Sequence, residues 1–213
     1  MKVSLLFPPT WHPSQPYLSL PSLTGFLAQA GITNVTQRDL GIELLDDVVT
    51  KSYGVGLYQD LLDKKQTLER DRTGDTGPGS AEHLARIVES LDRFPYLIDR
   101  IELAKETLRG EGFYDMEAYR ESLFLIDKWL EVISTVYFPT RLTVVDNQFS
   151  TYSIYSSKDL MKVIRDEQQN PYIRLFRERF LPSIIDDRPD LIGVSIAFTG
   201  AILAIAEIVG GFQ

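Results

Sequence analysis

The apolar positions along the chain fall into two regimes. Short, nearly continuous apolar runs stand near the two ends, and longer segments with apolar residues three and four apart fill the middle. Lys2 to Phe7 (KVSLLF) is apolar, short and stopped by Pro8-Pro9, which predicts a buried strand. Residues 8–16 (PPTWHPSQP) hold four prolines and predict an irregular loop. Leu18 to Ala30 predicts a helix, with Pro21 in its first turn and Gly31 as its C-terminal cap. Asn34 to Asp39 predicts a second strand, left through Leu40-Gly41. Asp190 to Phe198 (DLIGVSIAF) predicts a third strand, apolar on both faces as in a parallel sheet, and Ala201 to Val209 a final helix.

The middle has the helical period. Ala81 to Arg109 carries Leu84, Ile87, Val88 and Leu91, then Leu97, Ile98, Ile101 and Leu108 after an interruption expected at Pro95. A further run starts at Asp115 and places Tyr119, Leu123, Ile126, Leu130 and Ile133 on one face. Ser156 and Asp159 have capping-box spacing ahead of a helix expected over Lys158 to Gln168. Pro171 to Ile185 predicts another helix, with an early end expected at Pro182. Residues 72–80 predict a flexible loop, and Leu142 to Ser153 a short extended piece. The pattern therefore predicts an α/β fold: a partial parallel sheet of the flavodoxin-like (Rossmann-like) kind, strand order 2-1-3, with a large helical insert. The expected division is 1–45 with 186–213 for the sheet unit and 46–185 for the insert.

Composition narrows the functions. The chain has 213 residues, 44% of them hydrophobic, so a sizeable core can form. A net charge of −8 argues against a nucleic-acid partner, which needs a basic surface. There is no cysteine, which excludes disulfides, thiolate metal sites and cysteine-held iron–sulfur clusters within the chain. No apolar run reaches the length of a membrane span and no signal peptide is visible, so a cytoplasmic protein without a membrane partner is expected.

Three stretches together, KVSLLFPPTWHPSQPYLSLPSLTGFL, Asn170-Pro171 leading into a helix, and PDLIGVSIAFTG, resemble the N-terminal cobalamin-binding region of cobalamin-dependent radical S-adenosylmethionine (SAM) proteins. The resemblance implies a flavodoxin-like sheet of order 2-1-3-4-5 that holds cobalamin beyond the carboxyl ends of its strands. It also implies a downstream barrel in which a CxxxCxxC motif binds the iron–sulfur cluster and SAM. This chain has no such motif and ends one helix after strand 3, so a truncated module, not catalytic by itself, is expected. The cofactor-binding residues implied are Pro9, Thr10, Trp11, Asp39, Leu40, Ser195, Ile196, Ala197, Thr199 and Gly200, where the three loops leave the strands. The better-known cobalamin carriers have a DxHxxG loop whose histidine binds cobalt. Here the loop reads TWHPSQP, with His12 but without that motif, which fits binding without a histidine ligand.

Several residues have plainer readings. Trp11 either stacks on a corrin or packs the proline-rich loop. Asp39 either meets a ligand amide or caps a turn. His83 is expected at the surface, and Asp46-Asp47 and Asp186-Asp187 on solvated faces. Gly54-Val55-Gly56 lacks the strand–turn–helix setting of a phosphate loop. A receiver domain is rejected because its acidic positions read PPTW and SIAFT here. The alternative function is a helical interaction or substrate-recruiting module on a degenerate Rossmann-like base that binds no cofactor. Finally, LIGVSIAF has no charge and no proline, so as an edge strand it, or the apolar helix after it, predicts self-association.

Overall fold

Val3–Phe7 (β1) is buried along its whole length, because a strand flanked by parallel neighbours and covered on both faces has no polar side to show. A computed structural model describes residues 1–9, 17–71, 78–144, 147–153 and 155–197. In it β1 lies between Val35–Asp39 (β2) and Leu191–Val194 (β5), all parallel, in the order β2-β1-β5. The chain is thus α/β with a partial Rossmann-like sheet. Val3 is abreast of both Val35 and Leu191, and Phe7 is abreast of Asp39.

The described contacts divide the chain into two compact units, Met1–Leu45 with the segment from Tyr152 onward, and Asp46–Thr151. The segment over 157–186 therefore groups with the sheet.

In the sheet unit, α1 (Ser19–Gln29) follows the first loop. Gly31 ends it at a positive φ of 81°, where Ile32 N–H donates to the Leu27 carbonyl at 2.9 Å. Leu20 packs with Val3, Leu5 and Phe7, and Leu27, Ile32, Val35 and Ala197 close around them. The start of β5 is fastened to β1 by charge: Lys2 Nζ pairs with Asp187 at 2.5 Å, and the Lys2 N–H donates to Asp190 Oδ2 at 2.6 Å.

Three expectations change here. The helix after Ser156 is short, α6 (Ser157–Val163): beyond it the backbone tightens to i→i−3 bonds and Asp166 Oδ1 accepts from Gln168 and Gln169 N–H, closing a turn in place of further helix. Pro182 does not end the next helix. Pro171–Leu175 (α7) runs through a π turn at Phe176–Phe180 into Leu181–Asp186 (α8), and the missing proline N–H falls where the i→i−4 ladder is already broken. Ile196, within the run expected as a strand buried on both faces, is 54% exposed, because regular pairing of the edge strand β5 ends at Val194. The expected helix over 201–209 lies outside the described residues.

β2 leads straight into α2 (Leu40–Val48), and α3 (Lys51–Asp71), α4 (Pro78–Arg109) and α5 (Met116–Val136) follow. Pro95 does not interrupt α4: its ring lies on an exposed position, and the single bond it cannot donate is carried by the rest of a 32-residue helix. Asp115 Oδ1 caps α5 through Glu117 and Ala118 N–H. The extended piece is a hairpin, Arg141–Leu142 (β3) with Asn147–Gln148 (β4), tied to α5 where Leu142 N–H donates to Ser134 Oγ at 2.7 Å.

The Gly54-Val55-Gly56 triplet lies inside α3, and its two glycines differ. A methyl at Gly54 would fall 2.7 Å from Trp129 Cη2 and 2.9 Å from Ile98 Cδ1, whereas one at Gly56 would meet nothing within 4 Å. Gly54→Ala is expected to lower stability by about 1–2 kcal/mol, overpacking outweighing the gain in helix propensity. Gly56→Ala is expected to raise it by about 0.5–1 kcal/mol. Urea midpoints of the two variants test this, and shifts of the same sign would contradict it.

Candidate functional site at the carboxyl edge of the sheet

Parallel strands end on one edge, so the chain leaves β1, β2 and β5 side by side, from β2 directly into α2. Asp39, Phe7 and Ser195 lie abreast there. Phe7 pairs with Asp39, and Ser195 N–H donates to the Leu6 carbonyl at 2.9 Å, the last bond of the β1–β5 ladder, which sets Ser195 next after the Leu6–Val194 pair. At ordinary strand spacing this puts the Asp39 and Ser195 α-carbons about 10 Å apart, with β1 between them.

Pro9 lies close to the β2–α2 junction: a methyl built on Gly41 would be in ordinary contact with the Pro9 α-carbon at 3.6 Å and tight only against Asp39 Oδ1 at 3.2 Å. Asp39 Oδ1 accepts from Gly41 N–H at 3.0 Å and from Ile42 N–H at 3.2 Å, which caps the start of α2. Burial raises the Asp39 carboxyl above its ordinary range, against the lowering effect of those two donors. Because the folded form holds its proton more tightly, Asp39 supports folding most below the ordinary carboxylate range, and that support fades as the pH rises. The neighbouring Arg38 is engaged with Glu43, at 3.0 Å and 2.5 Å.

The residues implied by the resemblance fall into three groups. Asp39, Ser195 and Ile196 are accessible at the edge. Pro9 and Leu40 are buried, Leu40 completely, and Ala197 packs on the apolar cluster around Leu5 and Phe7. Thr10, Trp11, Thr199 and Gly200, with His12, lie outside the described residues. One residue of the edge escaped the sequence reading. Tyr17 stacks on Phe7 with ring centroids 5.1 Å apart, and only its place at the exit of the proline loop could have signalled it.

His83, near the start of α4, is half-buried. It stacks on Phe138 at 4.7 Å and donates from Nε2 to the Thr135 carbonyl at 2.8 Å, and burial pushes its pKa down. Of the acidic pairs, Asp46 meets Arg109 and Asp187 meets Lys2. Among the described residues no group of His, Cys, Asp and Glu is placed to hold a metal ion, and no helix is long and apolar enough to cross a membrane.

Compared with protein-family models, curated proteins and solved structures, the chain has no match.

Proposed function

We propose that this chain is a cobalamin-binding module that serves a radical SAM enzyme, its iron–sulfur and SAM chemistry residing in a domain beyond this cysteine-free sequence. The observation that carries the reading is the carboxyl edge of the parallel sheet, at which Asp39 and Ser195 flank Phe7. The residues there suit a corrin chemically. Asp39 Oδ2 is left over from the capping, which uses Oδ1 alone, and can accept from a corrin amide. Ser195 offers a hydroxyl, and exposed Ile196 offers an apolar surface for the macrocycle. When bound, cobalamin supplies a cobalt centre that carries an alkyl group; the chain's own part is to bind and orient it.

The buried positions of Leu40 and Pro9 favour a second reading, in which the edge holds no cofactor and the chain is an interaction or recruiting module. Titration with hydroxocobalamin separates the two. The first reading expects a saturable absorbance change and binding heat, with Ser195→Ala weakening affinity by up to about tenfold. The absence of both signals at high cobalamin concentration would overturn it.

Self-association through β5 belongs to the same proposal. Among the described residues no strand pairs with the outer side of β5, and Leu191 and Ile196 are exposed there. Light scattering is expected to show a species larger than one chain, and a monomer at high concentration would remove the idea.

A further inference from the structure

The Asp46–Thr151 unit has a cavity of about 640 Å³ of its own, walled by α4, α5 and the β3–β4 hairpin. Its volume suits a small molecule. Its walls, however, are polar and charged, where most small-molecule pockets are lined by apolar side chains.

The charges do not cancel. Three carboxylates face the cavity, Glu82, Glu89 and Glu131, against four cations. Arg86 pairs with Glu82 at 2.9 Å. Arg93 is shared between Glu89 and Glu131, and Lys128 holds Glu131 at 2.8 Å. The fourth cation, Arg141 on β3, is exposed and has no carboxylate partner among the described residues. A surplus cation at a cavity of a chain with net charge −8 runs against the overall charge.

The walls are also held in place. Ser90 and Thr135 hydrogen-bond to each other at 2.9 Å in the buried floor. Ser134 donates to the Leu130 carbonyl and accepts from Leu142 N–H, both at 2.7 Å, which fixes the hairpin carrying Arg141 against α5. With the backbone of β3 held in this way, the Arg141 guanidinium has no carboxylate among the described residues to leave before its planar fork meets an oxyanion.

We propose that this cavity binds a small ligand through an oxyanion, a carboxylate or a phosphate, with Arg141 as its principal partner. Lys128 and Arg93 supply supporting positive charge, and Glu131 limits the affinity by competing for both. The site is separate from the sheet edge and does not depend on cobalamin.

Calorimetric titration of the full chain with inorganic phosphate and, separately, with succinate tests this. Saturable binding of phosphate alone points to phosphate esters, of succinate alone to carboxylates, and of both to an oxyanion site without discrimination; each supports the proposal. Arg141→Ala is expected to weaken binding by roughly tenfold or more, while Arg120→Ala, on α5 but outside the cavity, leaves it unchanged. Glu131→Gln is expected to tighten binding, a gain that misfolding cannot imitate. No saturable binding of either probe, equal losses in the two arginine variants, or weaker binding by Glu131→Gln would each overturn it.

Discussion

Trp129→Ala is expected to lower the stability of the Asp46–Thr151 unit by about 3–5 kcal/mol, a large part of what a domain usually has. Trp129 is fully buried at the centre of α5. Its ring meets Phe94 with centroids 5.5 Å apart, and Phe94 in turn meets Tyr58 at 5.1 Å, so one side chain links α5, α4 and α3. The close approach of α3 at Gly54 is shaped to the same ring. Truncation removes the apolar burial and leaves a cavity between helices that cannot simply collapse, since each is fixed by other contacts. A polar cost adds to this, because indole Nε1 donates to the Val48 carbonyl at 2.7 Å, and Val48 is buried. Trp129→Phe keeps most of the ring but not the donor, so it is expected to lie between wild type and Trp129→Ala, about 2 kcal/mol below wild type. Urea unfolding followed by far-ultraviolet circular dichroism gives both values. A cost below 1 kcal/mol for Trp129→Ala would mean that α3, α4 and α5 do not share this core.

The same core explains which elements the sequence made legible. β1 and β5 are apolar because of their place in a parallel sheet, and that shows as continuous runs without reference to anything else. Gly31, Asp115 and Asn170 announce helix ends by local hydrogen-bond chemistry, which is also readable locally. α3 is different. It has two glycines near its start, while Val55 and Tyr58 are exposed, so its inward face is set by the shape of Trp129 and Ile98, contributed by other helices. Pro95 read as a break because its tolerance depends on facing water, a fact of packing. At the sheet edge, the strand ends were legible, and with them the level of Asp39 and Ser195. Which neighbouring side chains turn inward was not, since Leu40 and Ile196 are equally apolar, yet one is buried and the other exposed. Arg141 was invisible as a site residue for a related reason: its surplus charge is defined only by the ion pairs that α4 and α5 make around it.

In the sheet unit the largest single-residue effect is expected at Asn170, where replacement by alanine should cost about 1.5–2.5 kcal/mol. Asn170 is completely buried although polar, and it joins two helices. Its Oδ1 accepts from Tyr172 N–H at 3.0 Å, capping α7, and its Nδ2 donates to the Val163 carbonyl at 3.1 Å at the end of α6. Pro171 follows as the first helical residue, where it needs no N–H, so the side chain of Asn170 carries the cap. Alanine loses the cap, worth about 1 kcal/mol, and takes from the Val163 carbonyl one of its two donors, the Asp166 N–H remaining at 3.2 Å, which is worth about 0.5–1.5 kcal/mol more. Asn170→Asp divides the two effects. It keeps an acceptor for Tyr172 N–H but sets a carboxylate oxygen against the Val163 carbonyl oxygen, a repulsive contact away from water. Protonation would restore a donor there, so the folded state would bind the proton more tightly than the unfolded chain. The deficit of Asn170→Asp should therefore shrink as the pH falls toward about 4, while that of Asn170→Ala stays nearly constant. Thermal unfolding of wild type and both variants between neutral and acid pH measures this, with each variant compared to wild type at the same pH. If the aspartate deficit were independent of pH, or if alanine cost less than about 0.5 kcal/mol, Asn170 would not be the joint between α6 and α7.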